Sequence, residues 1–213
     1  RAVQEYKRRK NTTDDSIMSL VNQTNVDVMG ENSNKDAKLN STQRDLIAGE
    51  VSRDMVQRKL FPSHLVQAHK EGKIYIHDTD YLLQPMTNCC IIDLESMLRD
   101  GTVINKKQIT SPKSFQVAST VTTQIILQVT NGQFGGASIN GIDRILAPYA
   151  RKSYNKYFEK HLSRLNQLVK PYSSENITIA EKYAEEDLKK EIRDGIQTMQ
   201  YQINTFSGSN GRV

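Results

Sequence analysis

The chain has little cysteine and no long apolar run. Two cysteines in 213 residues make neither a disulfide framework nor a closed four-ligand zinc site. They stand side by side as Cys89 and Cys90, and a ring closed across one peptide bond is strained. Reduced thiols and a cytoplasmic setting are therefore expected. No stretch of about 18 apolar residues occurs, so no membrane span is expected. The opening "RAVQEYKRRKNTTDD" has no apolar core of a secretory signal. It starts on Arg rather than Met, and the expectation is that the natural polypeptide begins upstream.

Several chemistry-bearing motifs are missing as well. "GGASING" lacks the lysine of a phosphate-cradling Walker loop, no dinucleotide-binding glycine fingerprint occurs, and "SGSNG" only superficially looks like a nucleophile elbow. His64 and His69 are five apart, and His77 and His161 stand alone, so no helical metal-binding pair exists and no metal is assigned. The net charge is +5, but 29 basic residues are scattered among 24 acids. The only tight basic run, Lys7-Arg8-Arg9-Lys10, reads as a solvated helix end or linker. Nucleic acid is not an expected partner; anionic small molecules such as nucleotides remain compatible.

What is present is helical periodicity. Short helices are expected at Ser16–Asn22 and from Pro62 to a Gly72 cap, and a longer one at Thr42–Lys59 with Leu46, Ile47, Val51, Met55 and Val56 as its apolar stripe. Gly30–Ser41 reads as an exposed loop. "KIYIHD" alternates into a brief strand, and Thr87–Ile92 into a second one. Asp93 is placed as the cap of a helix ending at Gly101. Ser111, followed by Pro112, is placed as the cap of the next helix, whose stripe is Ala118, Val121, Ile125 and Val129. Ser119 and Thr123 on its other side permit close packing or ligand contact. The four glycines of "NGQFGGASING" require unusual backbone angles or close approach. Helices are then expected over Ile142–Leu168, kinked near Pro148, and over Ala180–Phe206. Few strands separated by long helices argue for an α/β fold.

Two clusters could carry chemistry. "HDTD" (His77–Asp80) offers acid, base or ligand groups, although a strand end whose carboxylates cap a turn is the commoner use of such residues. Asn88-Cys89-Cys90 offers a redox or hydrogen-donating thiol, or two small buried hydrophobes. Strand alternation turns the two thiols to opposite faces, so at most one of them acts.

Taken together, "YIHDTDY", "P-x-x-NC-x-x-x-DL-x-x-ML-x-x-G", "SPKS-x-x-x-A-x-x-x-x-x-QI", "Q-x-GG-x-x-I-x-x-ID-x-x-LAPY", "SYNK" and "YQINT" follow one order. The series resembles the anaerobic (class III) ribonucleoside-triphosphate reductases, a glycyl-radical family, along most of the chain. The "SPKS" and "LAPY" helices disfavour another glycyl-radical enzyme such as a formate-lyase. The resemblance implies a helix-rich N-terminal portion of a ten-stranded α/β barrel. Residues 1–72 would form a helical lead-in, and 73–213 the first barrel strands with the dimer and effector helices.

It also implies reduction of the ribose 2′-hydroxyl of ribonucleoside triphosphates. A radical on a C-terminal glycine passes to a thiyl, which takes the 3′-hydrogen; a second cysteine, matched by Cys89, returns a hydrogen atom from the opposite face. Formate or a dithiol protein supplies the electrons. A thiol S–H bond is weak enough to give hydrogen to a carbon radical, whereas a serine O–H is not. The apolar Ile91, Ile92 and Leu94 would shelter the site, and Cys90 would serve packing. Asn88, His77, Asp80 and Ser114 would contact or support substrate. Gln124 and Lys156 would hold a deoxynucleotide or ATP effector at a homodimer interface. A radical-SAM enzyme would install the radical.

The regulatory ATP-binding domain, the thiyl cysteine, a four-cysteine zinc module and the radical glycine have no counterpart in these residues, and "NGRV" stands where the family reads "NG-x-TPF". The chain is thus expected to be truncated, inactive alone and prone to association through open strand edges. The alternative reading is a non-catalytic fragment that retains dimerisation and effector binding.

Overall fold

A computed structural model describes residues 12–30, 36–168, 173–208 and 211–212. The basic run at 7–10, part of the 30–41 loop and part of the C-terminal tail lie outside them. The chain divides into two compact units, one up to Thr87 together with Ser207–Arg212, the other Asn88–Phe206.

The first unit holds α1 (Thr12–Val21), α2 (Val26–Gly30), α3 (Asn40–Met55) and α4 (Ser63–Lys70), with a π-helical turn at Val56–Leu60 after α3. Pro62 occupies the N-cap of α4, and Gly72 closes its end at φ 71°, as expected. Helix α3 forms where its periodicity placed it, and of the expected stripe Val56 is fully buried and Leu46 and Ile47 half-buried, but the rest of the buried face differs. Thr42, Gly49 and Ser52 are its buried residues, while Val51 and Met55 are both 40% exposed. Small residues win because the surrounding chain approaches closely: a Cβ on Gly49 would stand 3.2 Å from Asp80 Cβ, and Ser52 Oγ donates to Thr79 O at 2.7 Å.

The expected strand at "KIYIHD" is not formed. The amides of Lys73 and Ile74 both donate to Ala68 O at the end of α4, and Ile76 N donates to His69 Nδ1 at 3.3 Å. These amides find partners in the preceding helix, so alternation here records rings packing on one another: His69, Tyr75 and His77 form a chain of contacts at 5.6 and 5.7 Å. The remaining pair of the first unit, β5 (Ser207–Gly208) and β6 (Gly211–Arg212), is antiparallel.

The second unit runs β1 (Cys90–Ile91), α5 (Leu94–Arg99), β2 (Thr102–Ile104), β3 (Lys107–Ile109), α6 (Phe115–Asn131), β4 (Ala137–Ser138), α7 (Ile142–Leu168) and α8 (Ser174–Thr205). Asp93 caps α5 through its side chain, which accepts from Ser96 N, and Gly101 at φ 87° follows its end. The β2–β3 hairpin has no counterpart among the expected elements. Its two turn residues, Asn105 and Lys106, both have positive φ (49° and 64°), the geometry of a two-residue hairpin turn whose twist matches the strands.

The α6 start is displaced from the expected one. Ser114, rather than Ser111, is the N-cap, with Oγ accepting from Val117 N at 3.3 Å. The two preceding amides of the helix are met from other helices: Phe115 N donates to Ser153 Oγ of α7 at 2.9 Å, and Gln116 N to Glu191 Oε1 of α8 at 3.0 Å. Orphan amides at a helix start need partners, and only Ser114 places the helix where α7 and α8 supply them.

Ala118, Val121 and Ile125 of α6 are buried, as the stripe predicts, in a core with Ile92, Leu94, Leu98, Phe115, Ile145, Leu146 and Tyr149. On the other side Ser119 and Thr123 donate to carbonyls one turn back, and Gly195 of α8 lies against Phe115 and Ser119. Of the two uses open to that side, close packing is the one realised. Helix α7 carries Pro148 inside it, and α8 starts at Ser174, six residues before the expected start. The few strands are very short. A helix-rich mixed fold, compatible with the N-terminal portion of an α/β enzyme, is what the described residues form.

Candidate functional site

The cysteines lie where the start of the second unit meets the glycine loop. β1 and β4 pair in parallel, with Cys90 opposite Ala137 and Ile91 opposite Ser138. Backbone bonds flank the pair on both sides: Gly135 N to Asn88 O at 2.8 Å, Cys90 N to Gly136 O at 3.2 Å, and Ile92 N to Ser138 O at 2.9 Å. α5, β2, β3 and α6 intervene in sequence, so the pairing is a long crossover of the kind parallel strands require.

Gly135 is where glycine is indispensable. A Cβ there would fall 2.3 Å from both the backbone O and Oδ1 of Asn88. Close approach is thus one of the glycine roles expected in this loop; Gly141, at φ 66°, fills the other.

The two thiols face apart, as alternation predicts. Cys90 is partly buried, packs against the core, and its Sγ donates to Gln133 Oε1 at 3.1 Å. Cys89 is exposed, and its Sγ lies 3.4 Å from Asn88 Oδ1. The apolar residues after them divide. Ile92 and Leu94 enter the core, whereas Ile91, on the Cys89 side, is 78% exposed. Within this chain Ile92 and Leu94 therefore do not shelter Cys89; a strand of period two sends them to the opposite face or past its end.

The other expected site residues are distributed. His77 and Asp80 belong to the first unit. His77 Nδ1 sits 2.6 Å from Asp78 Oδ1, and Asp80 pairs with Arg53 at 3.2 Å. Nearby, Tyr81 donates to Asp45 Oδ2 at 3.0 Å. Burial first, and the Asp45 charge second, push its hydroxyl well above the usual phenol range, so it stays protonated as a donor. With Asp45, Ser52, Asp80 and Gln84 it lines a cavity of about 430 Å³. Nothing in the sequence pattern marks Asp45, because its partner lies 36 positions away.

In the second unit Ser114 serves as a helix cap, and the first α6 amides are taken within the chain, which leaves no oriented amide cluster for a phosphate. Gln124 is exposed and lines a groove of about 700 Å³ with Ile104, Asn105, Lys107, Gln128 and Asn131. The hairpin forms one wall, and Asn105 N donates to Gln128 Oε1 at 3.3 Å. Lys156 is exposed on α7, one turn beyond Ser153. Ser153 bonds the first residue of α6, whereas Gln124 lies about 13 Å further along that helix. One copy of the chain does not bring Gln124 and Lys156 into a common pocket.

Sequence reasoning missed Gln133, which is 3% exposed. It stands inside the "Q-x-GG" motif, and a polar residue fixed two positions before paired glycines is the signal that could have singled it out.

The anaerobic ribonucleoside-triphosphate reductase family matches residues 31–212. Proteins described as anaerobic ribonucleoside-triphosphate reductase are similar throughout. That of Haemophilus influenzae is 41% identical over 92% of this chain and 26% of its own length. The Escherichia coli protein is 40% identical over 97% of the chain and 28% of its length. The phage T4 protein is 37% identical over 95% and 32%. The chain thus spans between a quarter and a third of these relatives.

Proposed function

Because the chain belongs to the anaerobic ribonucleoside-triphosphate reductase family, we propose that it supplies the hydrogen-donating face of a site that reduces ribonucleoside triphosphates to deoxyribonucleoside triphosphates. The observation that carries this reading is the division of labour between adjacent thiols. Cys90 is hydrogen-bonded into the packed interior, and Cys89 is held out on the open side beside the Asn88 amide.

In the proposed step the S–H bond of Cys89 breaks homolytically and its hydrogen atom passes to a carbon radical of the ribose. A C–H bond forms and the sulfur is left one electron short, to be restored by formate or a dithiol protein. Asn88 Oδ1, at 3.4 Å, directs the thiol hydrogen before transfer. A glycyl radical outside these residues, installed by a radical-SAM enzyme, supplies the initiating one-electron chemistry. The remaining polypeptide of a ten-stranded barrel encloses Cys89 and excludes water. The setting is cytoplasmic, and among the described residues no helix is long and apolar enough to cross a membrane.

Effector binding is proposed at the groove beside Gln124, where Lys107 contributes positive charge and the glutamine and asparagine side chains can read a base. Lys156 joins such a site from the second copy of a homodimer. The same groove favours the second reading, a module that binds deoxynucleotide without turnover.

The deciding substitution is Cys89→Ser in the full-length protein, activated anaerobically. Deoxynucleotide formation is expected to vanish while the fold persists. Undiminished turnover would remove the proposal. Calorimetry with dATP and dTTP on the isolated chain separates the second reading, since binding there requires no radical.

A further inference from the structure

We propose that Gln133 and Cys90 form a lock that positions Cys89, so that Gln133 is a positioning residue for hydrogen transfer. The inference rests on the reading of Cys89 as hydrogen donor.

The side chain of Gln133 spans two segments that are 43 positions apart in sequence. Its Nε2 donates to Gly135 O at 3.0 Å. That carbonyl requires the NH₂ end of the amide, which leaves Oε1 to accept from Cys90 Sγ at 3.1 Å. Gly135 N in turn donates to Asn88 O at 2.8 Å. The bonds close a ring: Gln133 to Gly135, Gly135 to Asn88, along the backbone through Cys89 to Cys90, and from the Cys90 thiol back to Gln133. Cys89 is the only residue of the Asn88–Cys90 segment that contributes no bond to the ring, yet it is covalently bracketed on both sides by residues that do.

Burial makes the ring selective. Gln133 is 3% exposed, so bulk water does not replace a partner lost there, and the loss is costly. Cys89 needs such outside help, because it precedes a strand of only two residues and its own side chain is exposed. Hydrogen transfer is steep in distance, and an error of about 1 Å costs on the order of 100-fold in rate. The second cysteine therefore has a use besides filling space: its S–H directs the loop that fixes its neighbour.

The test uses the full-length protein, activated anaerobically, with kcat and KM measured per folded, radical-bearing enzyme. Gln133→Met keeps the volume but removes both bonds; Cys90→Ala removes the thiol donor; Cys90→Ser restores a donor. Expected are kcat losses of roughly 10- to 100-fold for Gln133→Met and Cys90→Ala with KM unchanged. The double variant should be no worse than the poorer single one, and Cys90→Ser should recover most of the rate. Should Gln133→Met fail to fold, the contrast between Cys90→Ala and Cys90→Ser decides alone. Lowered melting temperature with normal kcat in both single variants would overturn the lock, as would additive losses or a Cys90→Ser variant as slow as Cys90→Ala. Cys89→Ser, assayed beside them, separates the two ideas: inactive Cys89→Ser with normal lock variants rejects only the lock, and active Cys89→Ser rejects the reading beneath it.

Discussion

The residues up to Thr87 and those from Asn88 onward bury themselves by different means. In the second unit an apolar cluster running from Ile92 through Leu98 and Phe115 to Tyr149 forms the core, and Ser119, Thr123, Gln133 and Ser153 are buried as well. In the first, the buried hydrophobes Leu20, Ala37, Val56 and Val66 share the interior with Thr42, Ser52 and Thr79, and a hydroxyl-to-carbonyl bond ties α3 to the segment before Tyr81. Apolar burial is non-directional, whereas a buried hydroxyl stabilises only when its partner lies at hydrogen-bonding geometry. The unit that holds Cys89 adds to such directional contacts a cluster of ten buried apolar residues, to which no described residue of the first unit belongs.

The contrast can be broken most strongly at Leu98, which is fully buried. Leu98→Ala is expected to destabilise the second unit by about 2–5 kcal/mol, through lost transfer energy and the cavity left behind. Urea denaturation followed by circular dichroism measures it, and a loss below about 1 kcal/mol would mean that the cluster is not the main source of stability. A smaller effect is expected from Ser52→Ala. It strands the Thr79 carbonyl and should cost about 1–2 kcal/mol, read in the same assay. An equal or larger loss than at Leu98 would erase the distinction between the units.

The smallest expected effect is electrostatic. Arg58 Nε donates to Asp54 Oδ1 at 2.8 Å, and this bond holds the Asp54 carboxyl below its ordinary value of 3.8. A depressed carboxylate contributes stability above its unfolded pKa and loses it as pH falls through the folded one. Asp54→Asn should therefore melt slightly below the parent chain at neutral pH, and the gap should close below about pH 4. High salt should narrow it as well, since both side chains are partly exposed. A gap independent of pH would show that the ion pair is not its cause.

Much of the second unit was legible because its signals are local. Asp93 three positions before an amide it can accept, Gly101 after a short helix, and Ala118, Val121 and Ile125 at helical spacing each need only neighbours in sequence. So does the opposed orientation of Cys89 and Cys90. The failures share a different cause. Ser111 and Ser114 are equally good caps as residues, and the choice rests on Ser153 and Glu191, 38 and 75 positions from the amides they meet. The alternation of "KIYIHD" is real, but its amides were claimed by α4. Val51 and Met55 lost their expected burial to Gly49 and Ser52, where small size admits a close neighbour. The β2–β3 turn escaped notice because a lysine, rather than glycine, takes the second positive-φ position.

By itself the sequence determined most of the helices, the caps of α4 and α5, the family and the fact that one thiol of the pair faces away from the other, since each depends on spacing of a few residues or on ordered motifs. Only the tertiary structure decided which serine caps α6, that Gly135 must admit Asn88, and that Gln133 grips Cys90. Those outcomes depend on which distant groups arrive within hydrogen-bond reach, and reach of about 3 Å is a property of packed elements that no pattern along a chain encodes.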